Sequence, residues 1–415
     1  MTRKHLRPLA AVVSVALLLG MIGCSGGNGT NNVTPSTTAP PATGGGTTGG
    51  SSGSAGGGGQ QTGATQSPVK RVIVLVLQNH SFDNLFGTFP GADGIRVGVP
   101  GYSQVNASGA TVTPSLITTD ATADLVHQRS NYVAAWDQGK MDQYAAVEGD
   151  LAMGYYDNTQ AHVATLWSYA SQYALADRYF ASVMSSEPAN MLYMVSGADD
   201  IPQGVQPAYG PCNSPDLASK PYTWTNLGDA LSAKGVGWTW FHENYGMCGG
   251  GYVVTENPFQ YFTSTQNSAH LQDLGAFYTA LAADALPPVS FVNPVGAHNM
   301  HPGSGPISRA IDWVDGFIQK VQASPGWPNT AIVVVWDESG GFWDHVPPPQ
   351  VDAQGYGARV PMMVISPLAK RGYISHLQMD HTSVLNFIQW NWGLPAVNGR
   401  SALDGSVNLK DMFQF

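Results

Sequence analysis

Charged side chains are scarce in this 415-residue sequence, because Asp, Glu, Lys and Arg together make up only 11% of it. Acidic residues outnumber basic ones by 28 to 18, which gives a formal net charge of −10 at pH 7. Nucleic acid phosphates are bound by basic surfaces, so this balance argues against a nucleic acid partner. The same balance gives no help in holding anionic lipids.

The sequence also lacks an apolar run long enough for a comfortable transmembrane helix. The apolar stretch Leu9 to Ile22 is shorter and follows the basic segment Thr2 to Arg7, as in an export signal. It leads into Gly23-Cys24, which resembles the processing site of bacterial lipoproteins. We therefore predict a lipoprotein signal over residues 1–24 and an exported cell-envelope protein, held at a membrane surface through lipidated Cys24. The alternative is an ordinary signal peptide that contains a cysteine.

Cysteine is almost absent, with three residues in the whole chain. Apart from Cys24, only Cys212 and Cys248 remain. An isolated pair in an exported protein is readily interpreted as one disulfide, and two unrelated thiols are the alternative.

Apolar side chains are nearly missing from residues 25–67, where Gly, Ser, Thr, Pro, Ala and Asn dominate. Such a composition cannot build a core, so we predict a flexible tether there. Residues 68–415 contain no second linker and no internal repeat, and we expect them to form one domain.

Within this domain, β-branched and apolar runs alternate with helical patterns. Four runs suit strands buried on both faces, and four stretches suit helices. The strands are Val69 to Leu77, Pro288 to Val292, Ala331 to Trp336 and Val360 to Ser366; the helices are Ala161 to Ala174, Thr225 to Lys234, Ile307 to Ala323 and Asp380 to Trp392. This alternation predicts an α/β fold with a central, mostly parallel sheet covered by helices on both faces.

Polar residues follow two of these strands directly. Gln78 and Asn79 come after the first strand, and Asp337 and Glu338 come after the Ala331 to Trp336 strand. Since functional groups gather at the carboxyl edge of such sheets, both pairs are expected at one site. The two carboxylates, with Asp344 and His345 close behind, favour a metal site; a solvated acidic turn is the alternative.

Other candidates for chemistry lie in polar loops and at a helix start. His127, His298 and His301 fall between the predicted strands, although a single histidine is more often a packed or surface residue. The Ser185-Ser186 pair precedes a helical stretch, where a hydroxyl faces converging N–H groups that suit phosphate. A metal-activated serine there could attack phosphorus, and simple helix capping is the plainer alternative.

Taken together, these segments resemble a bacterial phosphoesterase family within the alkaline phosphatase superfamily. The family includes non-haemolytic phospholipases C and metal-dependent acid phosphatases. The matching segments occur in the family's order from about Lys70 to Trp392. They are Gln78 to Gly87, Asp124 to His127, Gly139 to Asp142, Asp177 to Met184, His298 to Pro302, Asp337 to Pro348, and Asp380 to Leu385 with Trp390 to Leu394.

The resemblance implies a divalent metal held by Gln78, Asn79, Asp337 and Glu338. It also implies a hydroxyl nucleophile in the Ser185-Ser186 segment. Around the phosphoryl group it implies three histidines: His127, His301 and His345. The oxygen ligands favour calcium, magnesium or manganese, and the histidines leave zinc as an option. The expected substrate is a phosphate mono- or diester, including phospholipids, and the expected enzyme is an acid phosphatase or a phospholipase C.

Two departures from the family pattern bear on activity. The family usually carries Glu where this chain has Gln78, so the metal site loses a negative charge. The family's nucleophile precedes a Pro-Asn pair by two residues, but here Asn190 comes one residue late after Ser186-Glu187-Pro188. We favour Ser186 as nucleophile, with Ser185 as fallback. The alternative function is a degenerate family member that acts as a surface binding or structural lipoprotein.

Overall fold

The computed structural model describes residues 63–198, 212, 221–403 and 407–415. The predicted export signal, Cys24 and most of the predicted tether lie outside the described residues. The last residues of the tether segment contact the domain, because the Gln66 N–H donates to the Asn391 carbonyl at 2.8 Å and the Ser67 hydroxyl donates to the Asn391 side chain at 2.6 Å. The domain's contacts therefore begin slightly before Pro68.

Strands are numbered in chain order through the described residues. They are β1 Arg71–Leu77, β2 Gln104–Val105, β3 Thr111–Val112, β4 Ser115–Leu116, β5 Gly154–Tyr155, β6 Ala174–Ala176, β7 Tyr179–Phe180, β8 Trp238–His242, β9 Leu271–Asp273, β10 Val289–Asn293, β11 Thr330–Trp336, β12 Met362–Ile365, β13 Tyr373–Ser375 and β14 Met379–Asp380.

Helices are numbered in the same way. They are α1 Phe82–Phe86, α2 Arg129–Trp136, α3 Tyr144–Val147, α4 Ala161–Gln172, α5 Glu187–Ser196, α6 Leu227–Lys234, α7 Leu274–Ala282, α8 Ile307–Gln322, α9 His381–Trp392 and α10 Gly399–Leu403.

Eight strands of the described chain form one sheet in the order β13-β6-β12-β11-β1-β10-β8-β9. The pairings of β12 with β11 and with β6 are antiparallel, and the other pairings are parallel. The mostly parallel α/β sheet expected from the sequence is therefore confirmed. All four predicted strands belong to it, with ends that differ by no more than a few residues.

Both faces of this sheet are covered. Residues Val72 to Leu77 of β1 have no exposed surface, although neighbouring side chains of a strand point to opposite faces. Helix α4 packs against α8, and helix α5 packs against α9. The predicted helices are present as α4, α6, α8 and α9, which begin or end within two residues of their expected limits.

The cysteine pair is bonded. Cys212 and Cys248 form a disulfide with their Cα atoms 5.3 Å apart, which confirms the interpretation of the pair as one bridge. Across the described ranges, no helix is both long enough and apolar enough to cross a lipid bilayer.

Candidate active site

Two central strands bring the predicted metal ligands together. β1 and β11 are parallel neighbours in register, and Leu77 pairs with Trp336 at their ends. The pairs Gln78-Asn79 and Asp337-Glu338 consequently leave the sheet side by side. The Asn79 backbone N–H donates to the Asp337 carboxylate at 2.9 Å, so the two strand ends are tied directly.

A tight backbone approach fixes this arrangement. Asn79 adopts a φ of 63° and Gly340 a φ of 61°, both in the left-handed region. A Cβ atom on Gly340 would lie 2.3 Å from the carbonyl oxygen of Asn79, which is far inside contact distance. Glycine is therefore required at position 340 for the turn after Glu338 to pass over Asn79.

Glu338 is held by groups from two segments. Its carboxylate accepts a hydrogen bond from the Gly340 N–H at 2.6 Å and another from the hydroxyl of Tyr132. The Tyr132 hydroxyl also accepts the Gly341 N–H at 3.2 Å. The sequence prediction missed Tyr132, since nothing in the local pattern of α2 separates this tyrosine from a core residue.

Each of the two acidic side chains keeps one oxygen without a partner. Asp337 Oδ2 and Glu338 Oε1 are buried and have no hydrogen bond partner within the described part of the chain. Asp337 is 0% exposed and Glu338 is 1% exposed. Burial raises the pKa of each carboxyl to about 7. A buried charge needs a counter-charge, so these oxygens suit a bound cation.

A pocket of about 560 Å³ opens at this edge of the sheet. Five of the predicted site residues line it: Gln78, Asn79, His127, Ser186 and His301. The Asp337 carboxylate accepts a hydrogen bond from the backbone N–H of Asn79, and Asn79 lines the pocket. The remaining wall comes from Glu187, Pro188, Gly250, Gly251, Val253, Thr255, Glu256, Val295, Gly296, Ala297 and Ser304.

Both pocket histidines lie beside the side chain of Asn79. Nδ1 of His127 donates to the Leu125 carbonyl at 2.7 Å, and Nδ1 of His301 donates to the Pro302 carbonyl at 2.7 Å. The Asn79 side-chain amide nitrogen lies 3.5 Å from both ring nitrogens of His127 and 3.5 Å from Nε2 of His301. Two oriented imidazole nitrogens therefore converge at the pocket.

His127 is biased towards its charged form. Burial alone lowers the pKa of this imidazole, but the nearby Glu338 carboxylate, helped by the Leu125 carbonyl and by Asp124, more than offsets it, so the pKa is raised. Asp124, His127 and His301 also form a group whose potential ligand atoms all lie within 4.8 Å of one another.

Ser186 occupies the N-cap position of α5, as the sequence prediction expected for a helix start. Its hydroxyl makes no capping hydrogen bond. The loop before it is clamped by buried Asn190, whose amide donates to the carbonyls of Ser185 and Ser186 at 2.9 and 3.3 Å. Ser186 lines the pocket, whereas Ser185 is not among the lining residues.

The predicted ligand Gln78 has an unexpected partner. Its amide Nε2 donates to Glu187 Oε1 at 2.6 Å, which joins the end of β1 to the start of α5. Burial, followed by the nearby carboxylates of Glu256 and Asp337, raises the pKa of Glu187 well above its ordinary value. This contact between residues 109 positions apart could not be read from the sequence.

His345, predicted to lie around the phosphoryl group, is buried and bonded to acidic side chains, and its role there stays a prediction. Its Nδ1 lies 2.6 Å from Asp83, and the Arg359 guanidinium bonds both Asp83 at 2.9 Å and Asp344 at 3.1 Å. Arg359, Asp83 and Asp344 are at most 1% exposed. The segment after Glu338 is thus anchored by a buried ion-pair network, and His345 is not among the pocket-lining residues.

The buried imidazole of His381 is hydrogen-bonded to the backbone directly after β11. Its Nε2 donates to the Asp337 carbonyl at 2.7 Å, and its Nδ1 lies 2.9 Å from the Tyr179 hydroxyl. Burial lowers the pKa of this histidine to about 4, so the ring is neutral and a single tautomer satisfies both contacts. The sequence predicts a helix start here, and the segment is among those that resemble the family; Asp380 is the N-cap residue of α9.

The residues present fit a hard divalent cation. Asp337 and Glu338 offer the two unpartnered carboxyl oxygens, and Asn79, whose backbone N–H bonds the Asp337 carboxylate, carries an amide oxygen as a further candidate ligand. No Lys or Arg side chain within the described ranges pairs with either carboxylate or with Glu187. Carboxylate and amide oxygens are the ligands that calcium, magnesium and manganese prefer.

One known protein family matches most of this chain. The Phosphoesterase family matches residues 69–395, which is most of the chain and includes every residue of the candidate site. The chain belongs to the phosphoesterase family. This confirms the family expected from the sequence motifs.

The curated relatives are distant in sequence. The chain is 27% identical to the non-hemolytic phospholipase C of Pseudomonas aeruginosa over 80% of its own length and 55% of that protein. It is 25% identical to phospholipase C A of Mycobacterium tuberculosis, over 84% of the chain and 77% of the relative. The chain thus spans about half the length of the Pseudomonas relative.

Solved structures also align over most of the chain. A Vibrio parahaemolyticus protein of the alkaline phosphatase superfamily aligns with 80% of this chain and 67% of its own, at 9% identity and a TM-score of 0.40. The murine ectonucleotide pyrophosphatase/phosphodiesterase 5 aligns with 83% of this chain and 100% of its own, at 8% identity and a TM-score of 0.43.

Proposed function

We propose that this chain is an exported, metal-dependent phosphoesterase that hydrolyses phosphate mono- or diesters. The observation that carries the proposal is the pair of buried, unpartnered carboxyl oxygens on Asp337 and Glu338. Asp337 is hydrogen-bonded to Asn79, and Asn79 lines a pocket together with two imidazoles and an uncapped serine. Membership of the phosphoesterase family supports the same chemistry.

Asn79, Asp337 and Glu338 would hold the metal, and Gln78 stands beside them. When bound, the ion supplies positive charge that lowers the pKa of a nearby hydroxyl and stabilises charge on the phosphoryl oxygens. Calcium, magnesium and manganese match the oxygen ligands, and the neighbouring histidines leave zinc as an option.

Ser186 would act as the nucleophile. Its oxygen forms a bond to phosphorus as the bond between phosphorus and the leaving oxygen breaks. His301 Nε2 accepts the serine proton, and His127, whose pKa is raised, donates a proton to the leaving oxygen. Water then attacks phosphorus in the phosphoserine and gives a proton to His127, while His301 returns its proton to the Ser186 oxygen as the bond from that oxygen to phosphorus breaks, which releases the phosphoryl product.

The substrate class includes phospholipids. The names of the curated relatives, which are phospholipases C, support a diester with a lipid leaving group. Attachment of Cys24 to a membrane would bring the pocket close to such a substrate. A phosphatase that acts on soluble monoesters would use the same pocket residues. Phospholipase C activity and monoester phosphatase activity are therefore distinguished by an assay on both types of ester.

Purified protein loaded in turn with Ca²⁺, Mg²⁺, Mn²⁺ or Zn²⁺ should be assayed on p-nitrophenyl phosphate and on p-nitrophenyl phosphorylcholine, beside an Asp337→Ala variant. We expect turnover by the wild type and a loss of at least about 1,000-fold in the variant. Turnover of the diester alone indicates a phospholipase C, and preferential turnover of the monoester indicates an acid phosphatase. No turnover of either ester would contradict the proposal and favour a binding lipoprotein.

A further inference from the structure

The two oxygens of the Glu338 carboxylate have very different surroundings. Oε2 accepts the Gly340 N–H at 2.6 Å and the hydroxyl of Tyr132, whereas Oε1 is buried and has no hydrogen bond partner in the described part of the chain. Buried acceptors are normally paired, because an unsatisfied one costs free energy. The division therefore indicates that Oε1 is available to a bound ligand.

Asp337 has the same division between its oxygens, but with different donors. Its Oδ1 accepts the backbone N–H groups of Asn79 at 2.9 Å and of Glu338 at 2.7 Å, and Oδ2 has no partner within the described ranges. Both donors to Asp337 are backbone groups. For Glu338, one of the two donors is a side chain, so a single substitution at Tyr132 removes it.

The hydroxyl of Tyr132 has a defined direction. Its oxygen accepts the Gly341 N–H at 3.2 Å, and the side chain is buried, with 5% of the residue exposed. A hydroxyl carries one hydrogen, so while its oxygen accepts from Gly341 that hydrogen is donated to Glu338. Tyr132 thus links the Glu338 carboxylate to the turn that follows it.

Helix α2, which carries Tyr132, is attached to the loop before the proposed nucleophile. The helix begins at Arg129, two residues after the pocket residue His127. The Arg129 guanidinium donates to the Met184 carbonyl at 3.2 Å, two residues before Ser186. This bond holds α2 beside the pocket and so helps to set where the Tyr132 hydroxyl lies.

We propose that Tyr132 is a positioning residue of the metal site, whose hydroxyl holds Glu338 Oε2 and thereby directs Oε1 to the ion. This inference rests on the proposed function for the presence of a metal. It adds a residue that lies outside the sequence segments that resemble the family. Partners that orient metal-binding groups commonly change metal affinity by about 10- to 100-fold, so the contribution of one hydroxyl is measurable.

Calorimetric titration of the full-length protein tests the assignment without relying on turnover. After treatment with chelator and its removal, Ca²⁺, Mg²⁺, Mn²⁺ and Zn²⁺ are titrated in turn at pH 8, since the carboxyl groups of Asp337 and Glu338 have pKa values of about 7. Binding that is lost in Asp337→Ala identifies the site. For the ion that binds most tightly there, we expect Tyr132→Phe to raise the Kd by at least about tenfold.

The matched control is Tyr169→Phe. Tyr169 is also buried and its hydroxyl donates to the Asp315 carboxylate at 2.6 Å, but neither of these residues lines the pocket. Its Kd should stay within about twofold of wild type. Thermal unfolding in chelator should give a Tm within about 4 °C of wild type for both variants, because each loses one hydroxyl.

A smaller rise in the Kd of Tyr132→Phe, an equal rise in Tyr169→Phe, or a Tyr132→Phe protein that is unfolded at the titration temperature would overturn the assignment. If the wild type also hydrolyses either ester, the proposed function stands without it. Wild-type protein that binds the ion in a Tyr132-dependent manner but hydrolyses neither ester would support the assignment and contradict the proposed function. Wild-type protein that binds none of the four ions would overturn both.

Discussion

At the scale of single residues, the structure separates histidines that line the pocket from one that is held in a buried ion-pair network. In both His127 and His301, Nδ1 bonds a backbone carbonyl and the ring lies beside the Asn79 side chain. His345 belongs to a buried network with Asp83 and Arg359. The sequence alone could not separate these histidines, because their roles depend on contacts with distant segments.

The two serines before α5 give a sharp test of the nucleophile. Ser186 lines the pocket with an uncapped hydroxyl, whereas Ser185 lies outside the lining and only its backbone is used. We expect Ser186→Ala to lower kcat by at least about 1,000-fold, because the covalent step is lost. The matched variant Ser185→Ala should stay within about threefold of wild type in the same p-nitrophenyl ester assay. The reverse order of effects would identify Ser185 as the nucleophile.

The histidines give a second test. His301→Gln removes an imidazole from the pocket and should lower kcat by about 100-fold or more, with little change in the unfolding free energy. His345→Gln should instead lower the unfolding free energy by about 1–3 kcal/mol, since it disrupts buried hydrogen bonds, while kcat stays within about threefold. Steady-state kinetics and urea unfolding of both variants provide the measurements. A large kcat loss in a fully stable His345→Gln variant would return His345 to the phosphoryl group.

At the scale of secondary structure elements, much of the sheet could be predicted. Strands β1, β10, β11 and β12 are continuous apolar runs, and such runs indicate strands that are covered on both faces. β6 was missed because its three residues, Ala174–Ala176, continue directly from α4 and have no strand pattern of their own. Short strands of this kind form only because their neighbours pair with them.

The candidate site could likewise be predicted only in part from local sequence patterns. Asp337 and Asn79 could be assigned to one site because the ends of parallel neighbouring strands meet. Tyr132, His381 and the contact between Gln78 and Glu187 could not be predicted, because each joins segments far apart in the chain. Local patterns therefore identify the edge of the sheet but not the residues that complete it.

The disulfide between Cys212 and Cys248 closes a loop over a sequence separation of 36 residues. A covalent link over a loop of this length stabilises a fold by about 3–4 kcal/mol, mainly by restricting the unfolded chain. We expect a Cys212→Ser, Cys248→Ser double variant to lose about this much in urea unfolding while it retains Mn²⁺ affinity. Unchanged stability would show that the bridge does not constrain the unfolded chain.

At the scale of the whole molecule, buried carboxyl groups make the free energy of unfolding depend on pH. The pKa values of Asp337 and Glu338 are raised to about 7, so the folded protein binds more protons than the unfolded chain between about pH 4 and pH 7. Stability in the presence of chelator must therefore fall as pH rises through that window. Full shifts of this size correspond to about 3–4 kcal/mol per carboxyl group.

Thermal unfolding in chelator should accordingly give a lower Tm at pH 8 than at pH 5. The Asp337→Asn variant, which has one fewer buried acid, should show a smaller decrease. Added Mn²⁺ binds the ionised carboxylates, so its stabilising effect should be larger at pH 8 than at pH 5. A Tm that rises from pH 5 to pH 8 in chelator, equally in wild type and variant, would contradict the assigned pKa shifts.

The central claim is that a divalent metal at Asp337 and Glu338 enables phosphoester hydrolysis. The most direct measurement is the rate of p-nitrophenyl phosphorylcholine and p-nitrophenyl phosphate hydrolysis after chelation, followed by return of Ca²⁺, Mg²⁺, Mn²⁺ or Zn²⁺ one at a time. We predict that chelation abolishes turnover and that at least one of these ions restores it in the wild type but not in Asp337→Ala. Turnover that is unaffected by chelation, or equal restoration in the variant, would contradict the account.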